Sequence, residues 1–149
     1  MKIGSARWFI LLTALAPIIV IAAKDPSISV NQLKDVLSKQ GFTGMLNDEA
    51  HFSKIGFLTC GVDRYQVFCY EWSESHQPSL AIHAQYRVLF VENGSKYVGS
   101  YVVQDHPKKI SHDAVIFRPA GRDSNEIKCG ANGLPGKVFL NGTESELFK

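Results

Sequence analysis

The chain lacks the cysteine and histidine spacings of a metal or redox centre. Its three cysteines, Cys60, Cys69 and Cys129, form no Cys-x-x-Cys pair, so a zinc finger or a thioredoxin-type motif has no support. The five histidines, His51, His76, His83, His106 and His112, form neither a His-x-x-x-His nor a His-x-His pair. His106 and His112, with Asp105 and Asp113 beside them, come nearest to a metal cluster. They share a loop, where polar residues gather anyway, and no metal or other cofactor is expected. No Gly-x-Ser-x-Gly elbow occurs, and Gly130, Gly133 and Gly136 lead into no helix that could receive a phosphate. No repeat or low-complexity segment is present.

Positive charge is also scarce where it would matter. Lys2 and Arg7 are two of the 16 basic residues, and without them 14 basic stand against 14 acidic. Lys108-Lys109 is the only basic doublet, and Asp105 and Asp113 flank it. No basic run could neutralise a row of phosphates, which excludes nucleic acid as the expected partner.

Long apolar runs are missing except at the start. Trp8 to Ala23 is apolar apart from Thr13, about 16 residues, short of the roughly 20 that span a bilayer. Lys2 and Arg7 precede it, small residues end it, and Lys24-Asp25-Pro26 breaks it. This is the pattern of a cleavable signal peptide over 1–23, followed by a single domain over 24–149. Contact with a membrane is expected only if the N-terminal segment is retained.

An exported chain meets an oxidising compartment, so two of the three cysteines should pair. Gly61-Val62-Asp63 reads as a hairpin turn that sets Cys60 opposite Arg64 or Tyr65, not Cys69. That favours a bridge from Cys129 to either Cys60 or Cys69, with the odd thiol buried as a small apolar residue.

The remaining 125 or so residues suffice for one core. Ser29 and Gln32 form a Ser-x-x-Gln capping box, Ile28 and Leu33 a hydrophobic staple, and Val30, Leu33, Val36 and Leu37 an apolar stripe at helical spacing. Gly41 suits the left-handed position after the last turn, with Phe42 folding back on Leu37. A helix over 30–40 follows. Residues 43–54 read as a loop. The period then becomes two: strands are expected at 55–60, 65–72, 80–91, 97–104, 114–117, 126–129 and 137–140. Asn93-Gly94 reads as a two-residue hairpin turn, Asn141-Gly142 as another, and Gly99 as a bulge or a close backbone approach. The expected fold is α+β: one N-terminal helix packed on a mainly antiparallel sheet of about seven short strands.

With no catalytic motif, the expected function is a small periplasmic or secreted binding protein, an inhibitor or immunity-type protein recognising another protein or an envelope component. The expected binding surface is the hairpin bearing Tyr97, Tyr101 and Asn93, with Arg87 and His83 on the neighbouring strand. The alternatives are a small hydrolase with dispersed catalytic residues and a membrane-tethered accessory subunit.

Overall fold

The computed structural model describes residues 27–74, 83–118 and 125–149. The expected signal peptide, His76 and strand residues 80–82 lie outside them. Among the described residues one helix is followed by nine strands: α1 (Val30–Lys39), β1 (His51–Cys60), β2 (Asp63–Glu74), β3 (His83–Glu92), β4 (Lys96–Val103), β5 (Lys109–Ser111), β6 (Ala114–Ile116), β7 (Glu126–Lys128), β8 (Lys137–Leu140) and β9 (Thr143–Glu146).

The strands do not form one sheet of seven. They form an antiparallel meander β1-β2-β3-β4, a small sheet β5-β6-β7 and a hairpin β8-β9. The reason is visible in β3. Val88 and Phe90 point to one side, Leu89 and Val91 to the other, and all four are buried. A sheet that is apolar on both faces needs a cover on each. One cover is α1, whose Leu33 and Leu37 pack on Phe68, Tyr70, Trp72, Leu89 and Val91. The other is the pair of small sheets with the residue that follows β6: Val115, Ile127, Val138 and Leu140 of the strands, and Phe117, pack on Leu58, Val67, Val88, Phe90, Tyr101 and Val103.

The helix is fixed as its ends foretold. Ser29 accepts from the Gln32 amide at 3.3 Å while the Gln32 side chain accepts from Ser29 N–H at 2.8 Å. Gly41 sits at φ +78°, and Phe42 N–H donates to the Leu37 carbonyl at 3.3 Å, as in a Schellman end. Two glutamines then tie it down. Buried Gln66 grips Ile28 by both backbone groups at 2.9 Å, and Gln40 donates to Ser95 O and accepts from Tyr97 N–H.

Cys60 is bonded to Cys129, with Cα atoms 5.4 Å apart, and Cys69 is a free buried thiol. The Gly61-Val62 turn places Cys60 opposite Asp63, and Cys69 falls opposite Ser53. The β3–β4 loop is three residues rather than two, because Glu92 pairs with Lys96. Asn141-Gly142 is a two-residue turn with both residues at positive φ.

Candidate functional site

On the helix-covered face, the backbone after α1 runs across the sheet and leaves a cleft of about 200 Å³. Thr43, Gly44 and Met45 form its loop side; Tyr70 and Trp72 of β2 and Arg87 of β3 form its floor. Strand pairing assembles that floor. Tyr70 sits directly opposite Arg87, and side chains two apart on β2 share a face, so Trp72 joins them. Tyr70 and Trp72 stack with centroids 4.8 Å apart, and Phe42 meets Tyr70 edge-on at 5.3 Å. A methyl at Gly44 would lie 2.3 Å from the Phe42 ring, so a larger residue there must push that ring from its place against Tyr70.

Arg87 gives the cleft its charge. Its guanidinium carbon lies 5.3 Å from the Trp72 ring and 5.8 Å from Phe42, cation–π geometry on two rings. Its Nε is shielded from solvent and has no hydrogen-bond partner. None of the described carboxylates forms an ion pair with it. Aromatic packing holds the head group at the wall of an open cleft, an arrangement suited to a carboxylate or phosphate from outside.

The expected binding surface is only partly assembled. Tyr97 lies beside the cleft, half-buried, its ring 5.8 Å from Phe42 and its hydroxyl donating to Ser100 Oγ at 3.0 Å. Tyr101 lies on the other face, fully buried, its hydroxyl donating to the Pro135 carbonyl. The bulge separates them. Phe90 pairs with Gly99 and Val91 with Tyr97, so Val98 is an extra residue and the alternation resets between the two tyrosines. Asn93 stands exposed at the hairpin tip, six residues from Arg87 or about 20 Å along the strand. His83 begins β3, and its side chain lies outside the description.

The weak metal candidates do not come together. His112, at φ +52°, is an exposed turn residue between β5 and β6. His106 lies in the β4–β5 loop and bonds Ser53 and the Pro107 carbonyl. Among the described residues no group of three His, Cys, Asp or Glu side chains gathers. Cys69 is no nucleophile: burial, then the Glu71 carboxylate, push its thiol up to about 12, so it stays protonated near neutrality.

A second concavity of about 730 Å³ runs along the outer edge of β4, between Val102 and β9. At one end Ser100 and Phe148 bridge; at the other Gln104 Nε2 donates to Thr143 Oγ1 at 2.8 Å. Ser53 is the residue that sequence reasoning missed. It sits within a stretch read as loop, 53 positions from its histidine, and nothing in its local pattern flags it.

Fold and cleft together define a disulfide-linked, β-rich α+β protein whose helix-covered face carries an arginine set among aromatic rings. No protein family, no curated protein and no solved structure matches the chain.

Proposed function

We propose that this chain is a small exported binding protein, periplasmic or secreted, that recognises another protein or an envelope component by capturing an anionic group at Arg87. The disulfide supports the compartment, because such bonds persist where the medium oxidises. Arg87 carries the binding reading: a cation on two aromatic rings, in a cleft with Trp72, Tyr70 and Met45, with no carboxylate of its own among those described. Arg, Trp and Tyr are the residue types that dominate binding energy at protein interfaces.

The test is a pull-down from envelope extract with wild-type, Arg87→Gln and Arg87→Lys proteins. A charged hydrogen bond contributes about 1.5–3 kcal/mol, roughly ten- to a hundredfold in affinity. The wild type should enrich a partner, Arg87→Gln should lose it by that factor, and Arg87→Lys should recover only part. An enriched partner indifferent to Arg87→Gln, or no partner for the folded protein, contradicts the reading.

A further inference from the structure

A second site lies away from the Arg87 cleft, where the β4–β5 loop meets β1. His106 Nδ1 is 2.8 Å from the carbonyl oxygen of Pro107, and Nε2 is 3.2 Å from Ser53 Oγ. A carbonyl oxygen only accepts, so in the neutral ring the proton sits on Nδ1 and Nε2 carries the free lone pair. Ser53 then donates its hydroxyl proton to Nε2. The Tyr86 ring meets the imidazole edge-on, 6.1 Å away at 87°, which restrains its orientation. A hydroxyl aimed at an imidazole whose other nitrogen is held by an acceptor is the working arrangement of a serine nucleophile and its base; here a backbone carbonyl stands where a carboxylate often stands.

The surroundings supply room and charge. His106 lines a cleft of about 540 Å³ with Tyr86, Asp105, Pro107, Lys108 and Arg118. The Asp105 carboxylate accepts from Asn141 Nδ2 at 3.0 Å. Two cations therefore share the cleft with one carboxylate that is already hydrogen-bonded elsewhere. Ser53 reaches this cleft through its contact with His106, and positive charge on the cleft wall favours an oxyanion formed at a carbonyl bound there.

We infer that Ser53 and His106 form an acyl-transfer site for small carboxylic esters, with Lys108 and Arg118 as the electropositive wall. Ser53 Oγ bonds to the acyl carbon as its proton passes to His106 Nε2. The tetrahedral oxyanion collapses, the bond to the leaving oxygen breaks, and the alcohol departs with the proton from Nε2. Water, giving a proton to the same nitrogen, then attacks the acyl-Ser53 ester. The carboxylic acid is released and the proton returns to Ser53 Oγ. This inference is independent of Arg87 and goes beyond the binding reading.

The experiment uses two probes on the oxidised, full-length domain: a fluorophosphonate, read by peptide mass, and 4-nitrophenyl acetate, read by 4-nitrophenolate release. Ser53 is exposed, so Ser53→Ala should keep the far-UV spectrum and melting temperature of the wild type. The expected result is a fluorophosphonate adduct on Ser53, absent in Ser53→Ala and formed at least about a hundredfold more slowly in His106→Ala, the size of a general-base contribution. 4-Nitrophenolate release should fall in step in both variants. An unmodified Ser53, or an adduct forming equally fast in His106→Ala, overturns the inference.

Discussion

Cys69 shows how burial decides the chemistry of a side chain. Its thiol is held at about 12, against an ordinary value near 9, by desolvation first and Glu71 second. A pKa raised by folding means that the neutral thiol contributes stability fully below pH 9, and that this is lost as pH climbs toward 12. Burial moves the hydroxyls of Tyr97 and Tyr101 the same way. Stability, followed by denaturant midpoint, should therefore fall as pH rises above about 9, where these groups ionise in the unfolded chain before they do in the folded one. In the same residue, iodoacetamide should label Cys69 only after unfolding; labelling of the native protein at neutral pH would contradict its burial. Gln66 is the second telling residue. It is 2% exposed and its amide satisfies both the N–H and the C=O of Ile28, just before the helix. Gln66→Leu keeps the bulk but strands two backbone groups, and should cost about 2 kcal/mol in an unfolding titration. An unchanged midpoint would show that the helix is positioned by its apolar stripe alone.

At the scale of elements, the features with a local cause were the readable ones. The capping box, the glycine end and the stripe place α1 within a residue, since each is a short-range hydrogen-bond or packing requirement. The four long strands follow from alternation, and the two faces of β3 are written in Val88 to Val91. What escaped was structure held by its neighbours. His51–Lys54 looks like a loop because it is the solvent side of an edge strand, with Phe52 alone turned onto Tyr70. β5 has one apolar residue, Ile110, and β9 (Thr-Glu-Ser-Glu) has none. β9 exists by pairing with β8 and by Lys137 Nζ bonding Glu144 and Glu146 at 2.8 and 2.9 Å. Of the candidate site, Arg87 and Tyr97 were legible as large side chains on adjacent strands. The split of Tyr97 from Tyr101 hinges on one inserted residue, and the Ser53–His106 contact on loop placement; neither leaves a mark in local composition. Gly99 belongs at this scale as well. A methyl there would sit 2.7 Å from Phe148 O and 2.8 Å from Leu147 Cδ1, in a φ of +154°. Gly99→Ala should detach the C-terminal segment from β4, at a cost of roughly 1–3 kcal/mol. Hydrogen exchange reads it directly: the Ser100 amide, bonded to Phe148 O at 2.8 Å, should lose its protection while the Val88 and Phe90 amides keep theirs.

For the whole molecule, a meander with two apolar faces is held between a helix and two small sheets, and one covalent bond joins the layers. Cys60 ends β1 and Cys129 follows β7, 69 positions later. Closing a loop of that length restricts the unfolded chain by about 4 kcal/mol, so Cys60→Ser/Cys129→Ser should lower the unfolding free energy by that order. None of the described helices is long and apolar enough to cross a membrane. Capture of an anionic partner at Arg87 presupposes a domain stapled in this way outside the cytoplasm. The intact mass of material recovered from the envelope or medium without reductant measures that presupposition. It should lack the first 22 or 23 residues, fall two hydrogens below the fully reduced mass, and take up a single alkyl group after unfolding, on Cys69. Full-length protein confined to the cytosol, taking up three alkyl groups, would contradict it.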